Sequence, residues 1–242
     1  MKYYYIRQPW THSLGTSKLA ISRSNTGLTL EKDKFWDFSA IVRLDVYAAE
    51  QEDKLYFKKY VQTDTYTVLL IPELKAVLER FNMPEHRWYQ AQAGYNLEFV
   101  SRMKKYFNID YDIDLNEKRE YWILQLLDRK RSELAFDLIE FQLNDYDTFT
   151  FKDGNYLNKG TINTYQEYKQ VRKAQIQANN RYPEPSVYIY RKDYDILWAG
   201  THIVFNEKVK SALDATGIIT LENGLEFAEF TDYQIQMIGE QA

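Results

Sequence analysis

Three aspartates alternate with apolar residues near the middle of the chain, and their spacing invites a test for metal binding. Asp110, Asp112 and Asp114 stand where a calcium loop places its first three ligands, at positions one, three and five. Such a loop also needs glycine at position six and glutamate at position twelve, where this chain has Leu115 and Tyr121. We therefore reject calcium binding. The alternation instead predicts a strand over residues 109–115 whose charged face meets water or a partner.

Other residue types that support catalysis or cofactor binding are scattered along the sequence. It contains neither a glycine-rich phosphate loop nor a G-x-S-x-G elbow. His12, His86 and His202 never pair at helical spacing, and the absence of cysteine removes thiolate ligands, thiol catalysis and disulfides. We predict no catalytic residue, no cofactor and no metal site. A carboxylate pair assembled by folding stays open, because no local spacing encodes one.

Two stretches of the chain share a pattern of apolar strand, short helix and helix stop, at residues 66–91 and 195–230. Pro72 suits the first helical position in the earlier stretch, and Asn206 suits the N-cap in the later one, with Gly217 as its stop. The helical stripes are Leu74, Val77, Leu78 and Phe81, and then Val209, Ala212, Leu213 and Thr216. We predict that the first three residues of each stripe are buried.

An alignment of the two stretches needs one inserted residue. It pairs Glu73 with Glu207, Lys75 with Lys210 and Leu78 with Leu213.

The remaining periodicity predicts strands and helices around these two stretches. We expect strands at residues 2–7, 41–48, 55–61, 88–93 and 120–127, with the second and third forming an antiparallel hairpin. Residues 96–107 have helical spacing, and residues 133–143 suit a strand or a helix. Asp153 and Gly154 are typical of a hairpin turn. Thr164 opens a capping box for a helix that extends to about residue 180, and Pro183 and Pro185 indicate a linker.

These elements predict an α+β fold, mostly antiparallel sheet, with two related strand-helix-strand units and a few peripheral helices. We divide the chain into a β-rich segment at 1–62, the first strand-helix unit with a central sheet at 63–182, and the second strand-helix unit at 183–242. At 242 residues, all three segments fit within one compact domain.

The composition narrows the classes of function. The net charge of −4 disfavours nucleic-acid binding. Residues 1–10 lack the apolar region typical of a secretory leader, and no later run is apolar over a membrane-spanning length, so we expect neither a leader nor a membrane span. We expect a cytoplasmic protein. Aromatic residues make up 16% of the chain, including 21 tyrosines, and they suit strands that fill a sheet-rich core. The alternative is a platform on which sugars or bases stack.

Several segments together resemble a bacterial family of immunity proteins tied to polymorphic toxin systems, formerly a domain of unknown function. They are residues 70–81, 86–89, 120–127, 188–190, 195–198 and 204–218. The resemblance covers roughly the last three quarters of the chain and is almost absent from the first sixty residues. It implies a binding protein inside the cell that blocks a cognate toxin domain by occluding its site.

The expected partner surface follows from the same resemblance. Many toxin domains act on nucleic acids and are basic, so an acidic face would steer the encounter and fill the toxin site. We predict that Asp110, Asp112 and Asp114 form this face, joined by Asp145 and Asp147. The alternative function is a non-catalytic aromatic-rich module that binds a ligand or glycan. An enzyme would instead show a cleft with converging carboxylates or histidines.

Overall fold

The structure, a computed structural model, describes thirteen stretches of the chain. These are residues 1–7, 19–21, 42–46, 49–51, 54–56, 59–62, 67–95, 97–108, 110–111, 113–127, 133–199, 202–232 and 234–239. Within them the strands are β1 Tyr3–Arg7, β2 Leu19–Ile21, β3 Val42–Val46, β4 Ala49–Gln51, β5 Lys54–Tyr56, β6 Tyr60–Gln62, β7 Thr67–Leu70, β8 His86–Tyr95, β9 Lys118–Leu126, β10 Phe141–Asp145, β11 Phe151–Leu157, β12 Arg181–Pro185, β13 Val187–Tyr190, β14 Ile196–Ala199, β15 His202–Asn206, β16 Glu226–Glu229 and β17 Gln234–Met237. The helices are α1 Pro72–Leu78, α2 Leu97–Phe107, α3 Tyr165–Asn179 and α4 Glu207–Asp214.

The chain divides into two units, and the smaller one interrupts the larger. The larger unit comprises residues 2–128 and 195–229, and the smaller comprises residue 1 with residues 129–194 and 230–242. Most strand pairs are antiparallel; β3 with β8 and β13 with β17 are parallel. The predicted α+β, sheet-dominated fold is therefore confirmed. The two units do not follow the three segments predicted from the sequence.

The larger unit contains two copies of one arrangement, each made of a hairpin, a short helix and a further strand. In the first copy β6 pairs with β7, and α1 and β8 follow. In the second copy β14 pairs with β15, and α4 and β16 follow. In each copy, the strand before the helix and the strand after it do not pair directly, because a central strand lies between them and is antiparallel to both. The central strand is β9 in the first copy and β1 in the second. The strand orders β6-β7-β9-β8 and β14-β15-β1-β16 therefore correspond.

The register of the two copies agrees residue by residue. Trp122 of β9 lies opposite Leu70 and Gln90, and Tyr4 of β1 lies opposite Phe205 and Glu229. Because Leu70 and Phe205 each precede the first helical residue by two positions, the copies are offset by a constant 135 residues through the helix (205 − 70).

That offset confirms two of the three aligned pairs. Lys75 matches Lys210, and Leu78 matches Leu213. The alignment of Glu73 with Glu207 was wrong, because Pro72 takes that position and no residue is inserted in the helix.

Both copies contribute to one hydrophobic core. Leu74 and Leu78 of α1 and Val209 and Leu213 of α4 are buried there, as the stripes predicted. Val77 and Ala212, also predicted to be buried, are only partly covered. The helix α1 packs against α4 and β9, while α4 packs against β15 and β1. Each helix thus covers the central strand of its own copy.

Several local predictions were wrong, and each failed for lack of a visible partner strand. Residues 110, 111 and 113–115 lie outside any strand, and Ile113 donates its backbone hydrogen bond to the Tyr111 carbonyl only two residues away. The expected hairpin between residues 41–48 and 55–61 is not formed, since β3 pairs with β2 and β8. A smaller hairpin joins β4 to β5. Tyr111 is buried as the alternation predicted, but Leu115, predicted to face inward with it, is 47% exposed. Alternation also could not identify the neighbouring strand.

Two predicted breaks in the chain fall inside strands of the smaller unit. Asp153 and Gly154 belong to β11, and the turn that precedes this strand lies at residues 146–148. Pro183 and Pro185, predicted as a linker, are buried in β12 opposite Leu143 and Phe141. The strand β12 lies at the edge of the sheet β11-β10-β12, where proline is tolerated because no neighbour requires its missing N–H.

The helix α3 begins as its capping box predicted. The Thr164 hydroxyl accepts a hydrogen bond from the Glu167 N–H at 3.1 Å, and the Glu167 carboxylate accepts one from the Asn163 N–H at 2.7 Å. The alternatives for residues 133–143 both hold in part, because a short 3-10 turn at Phe136–Leu138 precedes β10. Phe136, Phe141 and Tyr168 then form a buried aromatic cluster in the smaller unit.

Candidate partner-binding surfaces

The two copies repeat one side-chain arrangement around a lysine. In the first copy, the Lys75 Nζ atom lies 4.6 Å from the ring centroid of Trp122 and 5.5 Å from that of Trp88. Trp122 is on the central strand and Trp88 on the strand after the helix. Lys75 also forms an ion pair with Glu79, one turn further along α1.

The second copy reproduces this arrangement with other aromatic residues. The Lys210 Nζ atom lies 5.4 Å from the Tyr4 centroid and 5.2 Å from the Phe227 centroid, and 2.6 Å from the Asp214 carboxylate. Tyr4 is on the central strand and Phe227 on the strand after the helix. A hydrogen bond to Glu207 is the main cause that raises the pKa of Tyr4 to about 12.

The lysine and aromatic residues of this repeat act as structural clamps. Each ammonium group is attracted to the negative faces of two rings and is paired with a carboxylate, so its side chain ties the helix to two strands. The side chains of Lys75 and Lys210 are only 19% and 25% exposed. Lys75, Trp88, Trp122 and Lys210, which lie in the segments that carry the family resemblance, thus contribute to the scaffold.

Reciprocal polar contacts join the two copies. Asp195 begins the second copy, and its carboxylate accepts hydrogen bonds from the Asn206 side chain at 2.6 Å and from the Asn82 N–H at 3.1 Å. Lys59, at the equivalent place in the first copy, donates to the Asn223 side chain at 2.7 Å. Each copy therefore holds the segment that follows the helix of the other.

The histidines of the described regions also have structural surroundings. The Nδ1 atom of His86 lies 2.8 Å from the Pro84 carbonyl oxygen, and its ring meets Trp88 edge-on. His202 stacks on Tyr5 with ring centroids 4.2 Å apart. His12 lies outside the described residues. Within the parts of the chain that the structure describes, no group of three or more histidine and acidic side chains could hold a metal ion.

The predicted acidic face at residues 110–114 has a more balanced charge than the sequence indicated. The Asp110 carboxylate lies 2.7 Å from the Lys104 Nζ atom at the end of α2. Asp114 accepts a hydrogen bond from the Asn116 N–H at 2.9 Å. Both aspartates are exposed, whereas Asp112 lies outside the described residues. The support for these charges is an irregular segment rather than a strand.

Asp145 and Asp147 lie together at the turn between β10 and β11, in the smaller unit. One oxygen of Asp145 accepts hydrogen bonds from the Asp147 N–H at 3.0 Å and from the Thr148 N–H at 2.9 Å, so this side chain organises the turn. Asp147 accepts a hydrogen bond from the Asn180 side-chain amide at 2.6 Å. Asp110 and Asp114 belong to the larger unit.

Three aromatic rings, which we call the aromatic triangle, surround this turn. The ring centroids of Tyr146, Phe149 and Tyr182 lie 6.1 to 6.4 Å from one another. Phe149 is 69% exposed and has a φ angle of 56°, a left-handed conformation that is costly for a bulky residue. Sequence reasoning missed the triangle, because Tyr182 is distant in sequence and the turn had been expected at Asp153 and Gly154.

The chain was compared with protein-family models and with curated protein sequences. No family model matches it, and no curated protein matches its sequence. Among the described helices, none has the length and apolar character needed to cross a membrane.

Proposed function

We propose that this protein binds and neutralises a cognate toxin domain, as an immunity protein of a polymorphic toxin system. The observation that carries the proposal is the resemblance of residues 70–81 and 204–218 to that family. Supporting it, these two stretches occupy equivalent places in a duplicated scaffold. A protein that neutralises a toxin by covering the toxin's active site needs a rigid binding surface, but it needs no catalytic group.

The first experiment tests neutralisation directly. The C-terminal toxin domain encoded beside this gene is expressed from an inducible promoter, with and without the present protein, and cell survival is counted. We expect survival only when both are present, together with a stable complex of the purified proteins. Absence of a neighbouring toxin gene, or toxicity that is unchanged by co-expression, would overturn the proposal.

The second experiment tests the predicted acidic face at residues 110–114. Replacing Asp110, Asp112 and Asp114 by asparagine should slow association with the toxin domain by roughly three- to tenfold and flatten its salt dependence. The melting temperature should change little, because Asp110 and Asp114 are exposed. The matched control replaces three other exposed acids, Glu73, Glu120 and Glu222, by glutamine. Equal association rates for both triple variants would exclude a role for this face.

A second candidate function is a non-catalytic module that binds a glycan, and the aromatic triangle favours it. Exposed tyrosine and phenylalanine rings can stack on the apolar faces of sugars, as in other mixed apolar and polar sites. Titration with soluble oligosaccharides, followed by tyrosine fluorescence, distinguishes this function from the first. Saturable binding of a sugar, with no effect of the protein on the toxin, would favour the glycan module.

A further inference from the structure

We propose that the aromatic triangle and Asp147 form a docking surface for an arginine-bearing segment of a basic protein partner. Tyr146 and Phe149 are among the exposed large hydrophobic residues, and Tyr182 supports them from β12. Aromatic residues of this kind are enriched where proteins bind one another, because they present a large contact area with few rotatable bonds.

The triangle is held in place before any partner arrives. Tyr146 donates its backbone N–H to the Asn180 carbonyl at 2.9 Å, and Phe149 donates its own to the Asp145 carbonyl at 2.9 Å. The Asn180 amide also binds Asp147, so the C-terminal end of α3 is fixed to the turn. A preorganised surface loses less conformational entropy on binding than a flexible loop would.

The charge of this surface indicates which chemical group of a partner it binds. Asp147 is exposed, and its hydrogen-bond donor Asn180 is neutral, so an exposed carboxylate lies in the same turn segment as Tyr146 and Phe149. A guanidinium group can stack on an aromatic face and pair with a carboxylate at the same time. An arginine side chain meets both requirements, whereas a neutral sugar would use the rings alone. This inference rests on the proposed function only in identifying the basic partner as the toxin domain.

The backbone at Phe149 separates a binding role from a structural one. A left-handed φ angle disfavours phenylalanine and suits asparagine or glycine. Phe149→Asn should therefore keep or raise the melting temperature while weakening binding. A structural role for the ring predicts the opposite, a lower melting temperature. Phe107→Asn is the control, since Phe107 is 68% exposed on α2 of the larger unit.

The test uses the full chain labelled with ¹⁵N and a tetra-arginine peptide as the probe, with a neutral tetra-citrulline peptide as its control. We expect saturable chemical-shift changes in the amides of residues 146–149 and 180–182 with tetra-arginine, and none with citrulline. Phe149→Asn should weaken the affinity by about tenfold, Asp147→Asn should reduce its salt dependence, and Phe107→Asn should leave both unchanged.

Several outcomes would overturn the inference. They are equal shifts with citrulline, shifts confined to other residues, unchanged affinity in Phe149→Asn, or shifts at the same amides with cellohexaose and not with tetra-arginine. The peptide titration needs no toxin, so its failure is distinguishable from failure of the proposed function. If the wild type neutralises its toxin while the peptide and Phe149→Asn results are negative, the immunity function stands and this surface is excluded.

Discussion

At the start of its helix, the first copy places Ile71 and Pro72 where the second places Asn206 and Glu207. The Asn206 side chain caps α4 by accepting a hydrogen bond from the Val209 N–H at 3.1 Å, whereas α1 has no side-chain cap and begins with proline instead. Despite this difference, the backbone donor at the cap bonds an equivalent carbonyl in both copies, Lys59 for Ile71 and Asp195 for Asn206. The two copies thus begin their helices with different residues, proline in α1 and a capping asparagine in α4, while the surrounding strands and their hydrogen bonds stay equivalent.

What the copies retain is the leucine and the lysine. Leu78 and Leu213 enter the common core, and Lys75 and Lys210 clamp each helix to two strands. We infer that these positions define the repeat, and that the caps and the types of aromatic ring can vary around them. Four predictions test this comparison, beginning with the largest expected effect.

Truncation of the core leucines should produce the largest losses. Leu78→Ala and Leu213→Ala should each lower the free energy of unfolding by about 2 to 5 kcal/mol, since both side chains are 1% exposed and a cavity would remain. Urea denaturation of the two variants measures this, with the exposed Lys208→Ala as the control. Losses under about 0.5 kcal/mol at both positions would contradict the shared core.

Removal of the polar cap should affect only the second copy, and by less. Asn206→Ala should cost about 1 to 3 kcal/mol, because it leaves the Val209 N–H and one Asp195 oxygen without their buried partner. The control is Thr164→Ala at the exposed cap of α3, for which we expect about 1 kcal/mol or less. Equal losses in the two variants would show that the bond to Asp195 adds nothing.

A third difference between the copies predicts a response to alkaline pH. Tyr60 occupies the place of Ile196, and burial raises its pKa above the usual value of 10.0. Above about pH 10 the unfolded chain loses this proton while the folded chain keeps it, so stability should fall with rising pH. The slope for one such group is about 1.4 kcal/mol per pH unit.

Tyr60→Phe removes the titrating group and keeps the ring. Unfolding curves from pH 8 to 11 should therefore fall less steeply for this variant than for the wild type. Tyr146→Phe, which alters an exposed tyrosine, is the control and should retain the wild-type slope. Identical slopes for wild type and Tyr60→Phe would mean that burial of this phenol does not govern the alkaline response.

Replacement of the clamp lysines should lower the free energy of unfolding least of all, and the loss should be larger in the first copy than in the second. Lys75→Met should cost about 0.5 to 1 kcal/mol and Lys210→Met less, because tryptophan attracts a cation more strongly than tyrosine or phenylalanine. The ion pairs with Glu79 and Asp214 are partly exposed and add little. Glu79→Gln and Asp214→Asn serve as controls for the ion pairs. A larger loss at Lys210 than at Lys75 would reverse the expected order.

The sequence predicted what local periodicity encodes. The stripes at Leu74 and Val209, the Asn206 cap and the Thr164 capping box are each contained within one turn or two of helix, and each is present. The match of Lys75 with Lys210 could also be predicted from the sequence, but the contacts of these lysines with aromatic rings could not. Those contacts depend on Trp122 and Tyr4, which reach the clamps on strands from distant parts of the chain.

The failures arise where long-range pairing overrides local preference. Pro183 and Pro185 break structure in isolation, yet an edge strand accommodates them. Gly154 suits a turn, but it lies in β11, which continues the sheet by pairing with β10. The aromatic triangle could not be predicted either, since Tyr182 reaches Tyr146 only through the pairing of β10 with β12. Asp145 and Asp147, which lie beside the aromatic triangle in the turn, were predicted from the sequence only as part of an acidic face.

The position of β1 between β15 and β16 affects the order in which the chain can fold during synthesis. All strands of the first copy, including its central strand β9, lie before residue 127, so this half can pair early. The sheet of the second copy stays open until residues 202–229 have emerged from the ribosome to meet residues 3–7. At a synthesis rate of about 5 to 20 residues per second, roughly 10 to 40 s pass between the synthesis of β1 and that of these partner strands. During that interval both edges of the aromatic strand β1 lack their partner strands, a state in which strands are prone to pair with other chains.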